Sequence, residues 1–252
     1  MMLTVDCGNT RLKWALYGAT ALEEDAQPLV LQQGSVAVGA ISDLAAPWNG
    51  LPQPQAIAIG NVAGEMARAA LLPLLARWPV EPLWVRAGAS ACGVVSRYDD
   101  PAQLGVDRWA ALIAAWARCR GACLVVSAGT ATTIDSLSAT GEFPGGRILA
   151  GVELMKKALA TNTSGLPLRQ GRYAIDPCNT ADAIESGCLE AQAGAIERCQ
   201  ARLPAGSPCY ITGGAATVVA ARLNLTAPVS VVDNLVLEGL LRLAQAAAPR
   251  SA

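Results

Sequence analysis

Apolar and polar positions along the chain switch repeatedly between the strand and helix periods. Leu3, Val5 and the run Trp14–Tyr17 have strand character, and the polar stretch between Val5 and Lys13 interrupts them. VDCGNTRLKWALYG therefore predicts a strand, a tight turn and a return strand. AIAIGNVA (Ala56–Ala63) predicts a second apolar strand ending in Gly-Asn, and GEMARAALLPLLARW a helix that Pro73 should kink or break. PLWVRAG is a further short strand, and SRYDDPAQLGVDR (Ser96–Arg108) a polar loop. Trp109, Leu112, Ile113 and Trp116 then fall at i, i+3, i+4 and i+7, which predicts an amphipathic helix ended by Gly121.

The pattern restarts near residue 120. ACLVVSAGTATTIDSL (Ala122–Leu137) reads as strand, glycine turn, strand, and GGRILAGVELMKKALA as turn, strand, helix. TADAIESGCLEAQAGAIERCQARL is a long helix, CYITGGAATVVAARL a strand, Gly-Gly turn and helix, and DNLVLEGLLRLAQAA a C-terminal helix. Strands alternating with helices place the chain in the α/β class. VDCGNTRLK opens the first half and VVSAGTATTID the second, each an apolar strand, a small residue, Gly, a nearby Thr and a return strand. The echo suggests a duplicated fold, with domains at 1–118 and 119–252 and a cleft between them.

Composition narrows the chemistry. Hydrophobic residues are 52% and charged residues 15% of the 252, enough to bury a core and too apolar for disorder. A net charge of -1 supplies no cationic field for nucleic acid or an anionic membrane. The 8 cysteines form no CxxC pair and histidine is absent, which argues against zinc and for reduced thiols in a cytoplasmic protein. Zero histidine also excludes Ser-His-Asp and Cys-His catalysis. No signal peptide is visible, and apolar stretches such as LLPLLARWPVEPLWV are cut by Pro and Arg well short of a membrane span.

The turns carry the candidate chemistry. A glycine at a strand end lets backbone N–H groups face an anion, and Asn, Thr and a returning lysine add donors and charge. An Asp in such a turn suits phosphate only through a shared divalent cation. VDCGNTRLK is thus either a phosphate-and-magnesium turn or a hairpin shaped by Asp6 and Asn9. None of the three lysines follows a glycine, so there is no P-loop, and no GxGxxG follows a strand. In YDDPAQLGVDRW, Asp107 is either a helix cap or a carboxylate poised for chemistry, and Arg108 suits a substrate carboxylate.

DCGNTRLK at 6–13, YxxPxxLGVDR at 98–108, GTATTID at 129–135, GGRILAG at 145–151, NT at 179–180 and TGG at 212–214 occur in the order seen in type III pantothenate kinases. The chain resembles that family almost end to end, and is similar to the Bvg accessory factor group that shares the pattern. The resemblance implies two duplicated α/β domains of the acetate and sugar kinase, Hsp70 and actin type, which is ribonuclease H-like, with a nucleotide cleft, in a homodimer. It implies ATP-dependent phosphorylation of pantothenate, the first step of coenzyme A synthesis. It assigns ATP and Mg2+ to Asp6, Cys7, Gly8, Asn9, Thr10, Arg11, Leu12 and Lys13, with Gly129 and Thr130 as the second phosphate contact and Gly213 and Gly214 near the adenosine. It makes Asp107 the general base and places Tyr98, Gly105, Val106, Arg108 and Thr180 at pantothenate. Two positions depart from the family pattern: Ser127 stands where an Asp holds a monovalent cation (K+ or NH4+), and Ala150 where a Pro is common. The alternatives are a non-catalytic nucleotide-binding accessory regulator and another small-molecule kinase of the superfamily.

Overall fold

The computed structural model describes residues 1–18, 29–163, 166 and 169–247. They divide into two compact units, Met1–Arg120 with Asn234–Ala252, and Gly121–Asp233. The first unit runs β1 (Met2–Cys7), β2 (Arg11–Tyr17), β3 (Val30–Ala37), α1 (Ala45–Asn49), β4 (Ala56–Asn61), α2 (Glu65–Leu75), β5 (Leu83–Trp84), β6 (Ser90–Ala91), β7 (Val94–Ser96) and α3 (Val106–Cys119). Its main sheet has the order β3-β2-β1-β4-β5. β1–β2 and β2–β3 are antiparallel, and β1–β4 and β4–β5 are parallel.

Side-chain alternation explains why this sheet has two covers. Leu3, Val5, Cys7, Leu12, Trp14 and Leu16 enter one core with Trp48 and Leu71 of α1 and α2. Ala15 and Tyr17 point the other way, into a second core with Ala58, Val106 and Ala110. A sheet buried on both faces needs the nearly continuous apolar runs seen at Trp14–Tyr17 and Ile57–Ile59. Trp48 anchors the first core, edge-on to Trp14 at 6.2 Å and tilted on Trp78 at 5.6 Å.

The second unit runs β8 (Cys123–Ala128), β9 (Ala131–Leu137), β10 (Glu142–Phe143), β11 (Gly146–Ala150), α4 (Val152–Asn162), α5 (Thr180–Gln200), β12 (Cys209–Thr212), α6 (Ala216–Ala220) and β13 (Val229–Val231). Its sheet has the order β11-β9-β8-β12-β13, with β8–β9 and β9–β11 antiparallel and β8–β12 and β12–β13 parallel. That is the order and polarity of the first sheet, strand for strand. The two hairpins echoed in the sequence, β1–β2 and β8–β9, occupy equivalent places in it, so the fold is duplicated. The last element among the described residues is α7 (Leu235–Ala247).

Three details differ from the sequence expectation. The expected domain 119–252 included the C-terminal helix, but α7 packs in the first unit, where Leu237, Leu240 and Leu241 complete the core of Ala15, Tyr17, Val106 and Ala110. Its sequence shows an apolar face and nothing about which unit that face meets. Pro73 does not break α2, which runs on through it; it lies in the last turn, two residues before the end at Leu75. α3 is buried almost all round, from Arg108 through Ala117, because α7 and β4 also cover it, and it is capped by Arg120 in a left-handed conformation (φ 45°) rather than by Gly121.

Candidate active site

In the first hairpin, Asp6 pairs with Lys13 on β2 and with Gly60 on β4, and the turn spans Gly8–Arg11. Gly8 N–H donates to the Arg11 carbonyl at 3.1 Å, and Val38 N–H to the Thr10 carbonyl at 3.1 Å, which ties the turn to the end of β3. Asn9, Thr10 and Arg11 are exposed, and the Arg11 guanidinium donates to Ser35 Oγ at 2.6 Å. Cys7 and Leu12 are buried core residues, so only their backbone can serve a ligand. Burial and the neighbouring Asp6 push the Cys7 thiol up to about 11, which makes it inert.

The LGVDR loop delivers its residues to the same unit. Gly105 occupies the cap position of α3 and Asp107 the second position of its first turn, so Asp107 is not the cap. Asp107 Oδ1 accepts from Arg108 N–H at 2.8 Å. A Cβ on Gly105 would lie 2.6 Å from that oxygen, so glycine leaves room for the carboxylate. Burial, then the charge of Asp107, raise the Asp6 carboxyl from 3.8 to about 7, against the opposing pull of Lys13. Two half-buried carboxylates and a lysine thus share one electrostatic environment. Val106 is buried beneath them in the α3–α7 core. Arg108 is 5% exposed, its Nη1 donates to Tyr98 Oη at 2.8 Å, and its guanidinium lies 5.7 Å from the Tyr98 ring centroid. Tyr98 N–H donates in turn to Ser96 Oγ at 3.3 Å. A charged, planar donor fixed against an aromatic is suited to a small carboxylate.

The second hairpin turns through Gly129 and Thr130, both exposed, with Gly129 N–H donating to the Ala131 carbonyl at 3.1 Å. Two other segments close on it. Gly151 N–H donates to the Thr130 carbonyl at 3.0 Å, and Ala215 N–H to the Ala128 carbonyl at 3.0 Å. Gly213 has φ 104°, and a Cβ there would stand 2.4 Å from the Ala128 carbonyl oxygen, so the Gly213-Gly214 turn can lie on the end of β8 only without a side chain. Gly129, Thr130, Gly213 and Gly214 are therefore brought together. Gly151 ends the GGRILAG motif, which by itself gives that glycine no role; its contact with the turn depends on the β9–β11 register, which sequence spacing does not reveal.

Ser127 is the counterpart of Asp6 in the second sheet. It pairs with Thr133 and with Thr212, so a row of small hydroxyls crosses the sheet there. Asp135 pairs with Val125 instead, one step along the same face, and is buried. Thr133 Oγ1 is buried without a hydrogen-bond partner. Thr180 is exposed at the first position of α5, behind Asn179, whose side chain caps the helix by accepting from Asp182 N–H at 3.0 Å.

A family model for type III pantothenate kinases matches residues 2–202. The type III pantothenate kinase of Aromatoleum aromaticum is 49% identical over 95% of this chain and 96% of its own length, and that of Nitrosospira multiformis 45% identical over 97% and 91%. Among solved structures, a conserved Baf family protein from Campylobacter jejuni superposes with a TM-score of 0.59 at 21% identity, covering 96% of this chain and 97% of that one. The activator of 2-hydroxyisocaproyl-CoA dehydratase from Clostridium difficile, solved with bound ADPNP, gives 0.53 at 9% identity over 100% and 99%, and a glucokinase from an Antarctic psychrotroph gives 0.51 at 12% over 97% and 98%. These likenesses fix the fold as that of the sugar kinase, Hsp70 and actin type. With the family model spanning most of its length and relatives this similar end to end, the chain belongs to the type III pantothenate kinases.

Proposed function

We propose that the chain transfers the γ-phosphoryl group of ATP to pantothenate, giving 4'-phosphopantothenate, the first step of coenzyme A synthesis. The observation that carries this reading is the assembly of Asp6, Lys13, Asp107 and the Arg108–Tyr98 pair within one unit. Phosphoryl transfer asks mainly for positioning and charge neutralisation, with an Asp to orient the attacking hydroxyl and take its proton. Asp107 is that base. Arg108, held by Tyr98, receives the pantothenate carboxylate, with Gly105 and Val106 beside it in the first unit, and Thr180 of the second unit is assigned to pantothenate as well. Lys13, the Gly8–Arg11 turn and the Gly129–Thr130 turn bind the ATP phosphates through backbone N–H groups and side chains, with Gly213 and Gly214 at the adenosine.

The donor set fits Mg2+: Asp6 offers hard carboxylate oxygens whose ionisation is opposed by burial and by the charge of Asp107, a cost that a cation shared with the phosphates would relieve. Bound there, Mg2+ supplies neutralisation of the phosphate charge. The donor set at Ser127 does not fit a monovalent cation as a carboxylate would, since the row Thr133–Ser127–Thr212 offers neutral hydroxyls and Asp135 belongs to the next register step. We assign no step to such a cation. The chain acts in the cytoplasm as a homodimer; among the described residues no helix is long and apolar enough to cross a membrane. Size-exclusion chromatography with light scattering checks the dimer.

A coupled ADP-release assay tests the activity. ADP should appear only when pantothenate and ATP are both present. Asp107→Asn should keep pantothenate binding while turnover falls about 10²–10⁴-fold, the usual loss for a general base. Near wild-type turnover in that variant would remove Asp107 from the role, and ATP binding with no ADP release in the presence of pantothenate would favour the accessory regulator.

A further inference from the structure

Gln192 is a polar side chain in the middle of α5, 1% exposed, on a helix face that otherwise buries Leu189, Ala193 and Ile196. Its Nε2 donates to the Ala150 carbonyl at 2.7 Å and lies 3.2 Å from Met155 Sδ, while its Oε1 is buried without a partner. A buried amide that leaves one of its own atoms unsatisfied costs stability, so packing alone does not account for it. The bond it makes falls at a sensitive place. Ala150 ends β11, opposite Ala131 of the second hairpin. The next residue, Gly151, donates to the Thr130 carbonyl at 3.0 Å, and its own carbonyl accepts from Met155 N–H at 2.9 Å to start α4. The approach is so close that a Cβ on Gly151 would lie 2.1 Å from the Gly129 carbonyl oxygen and 2.7 Å from that of Thr130.

We infer that Gln192 is a positioning residue for ATP: it clamps the Ala150 carbonyl, which sets Gly151 against the Gly129–Thr130 turn and fixes the turn's phosphate-facing groups. The inference rests on the reading that Thr130 meets the ATP phosphates. The strand of Ala150 lies at the sheet edge, paired with β9 on one side alone, so the Gln192 bond supports its end from the face that α5 covers. Gln192 itself touches no reacting atom.

The test uses Gln192→Met, which keeps the volume and removes the donor, and Gln192→Glu, which can donate only when protonated. In Gln192→Met the ATP KM should rise roughly tenfold, the scale of one lost buried hydrogen bond. The pantothenate KM should stay within about twofold and the Gly151 amide should exchange faster with solvent. In Gln192→Glu the ATP KM should fall back toward wild type as the pH is lowered, a trend absent from the Met variant. A Gly151 amide that exchanges as in wild type overturns the clamp. Faster exchange with an unmoved ATP KM overturns the positioning role if Thr130→Ala still raises that KM. If Thr130→Ala also leaves it unmoved, the phosphate-turn reading fails and takes the inference with it. Equal rises in both KM values mark a general structural role and also overturn it.

Discussion

Gly239 is where the C-terminal helix comes closest to the helix that carries Asp107. A Cβ built on Gly239 lies 1.8 Å from the Ala110 carbonyl oxygen, 2.4 Å from its carbonyl carbon and 2.7 Å from its Cα. Ordinary carbon–oxygen contact begins near about 3.2 Å, so Gly239→Ala creates an overlap of roughly 1.4 Å with backbone on both sides. Neither helix can yield by turning a side chain; α3 and α7 must part by about an ångström. That opens the layer formed by Val106, Ala110, Leu237, Leu240 and Leu241, and stretches the bidentate pair in which Arg118 Nε and Nη2 donate to Glu238 at 2.7 to 3.0 Å. Overpacking of this kind costs about 1–3 kcal/mol, and the loosened layer and ion pair bring the total to about 3–5 kcal/mol. At about 2–4 °C per kcal/mol for a protein of this size, the melting temperature should fall by roughly 6–20 °C. The control is built into the molecule: Gly187 and Gly194 lie in α5, and a Cβ at either would meet nothing within 4 Å, so alanine there should stabilise by about 0.5–1 kcal/mol. Differential scanning calorimetry of the three variants decides the matter. A Gly239→Ala protein melting within about 2 °C of wild type, or as well as Gly187→Ala, would refute the close-contact reasoning.

The remaining expectations concern the sites. Because Asp6 keeps its proton up to about 7 in the folded metal-free protein and loses it near 3.8 when unfolded, its penalty is absent below pH ~4, grows between those values and is complete above pH 7. Asp6→Asn should therefore melt a few degrees above wild type at pH 8 in chelator, with the gap closing toward pH 4 and turnover lost; a gap that ignores pH refutes this. Arg108→Ala should raise the pantothenate KM about 10- to 150-fold, the value of a charge-assisted pair of roughly 1.5–3 kcal/mol, and leave the ATP KM near wild type. The carboxylate assignment fails if the wild type uses pantothenol as readily as pantothenate. Turnover should respond weakly to potassium at constant ionic strength, and Ser127→Asp should sharpen that response; strong low-millimolar activation of the wild type would show that the hydroxyl row suffices.

What the sequence reveals, and what it hides, follows the range of the interactions. Both hairpins are legible because their signals are local: an apolar run, a glycine, a threonine and a return strand within a dozen residues. The LGVDR loop is legible as chemistry, but not the reason for its glycine, which is the 2.6 Å approach of the Asp107 carboxylate. A cap role for Asp107 gives way because the helix begins at Val106, two residues earlier than a cap at Asp107 requires. Gln192 and Gly151 are invisible as site residues: their partners lie 42 and 21 positions away, and only the strand register and the packing of α5 bring them together. α7 is visible as a helix, and its partner is not, because an apolar stripe of Leu and Val fits either unit equally well.

The chain leaves the first unit at Arg120 and re-enters it at Asn234. During synthesis the second unit, being contiguous, can fold as soon as it clears the ribosome. The first cannot, for its sheet face at Ala15, Tyr17 and Ala58 waits for leucines translated more than a hundred residues later. The nascent protein therefore holds an uncovered apolar surface through about half of its own translation, and the helix bearing Asp107 gains its final seat only at the end. Fusions or truncations that delay α7 should show up first as aggregation of newly made chains, before any loss in the activity of those that mature.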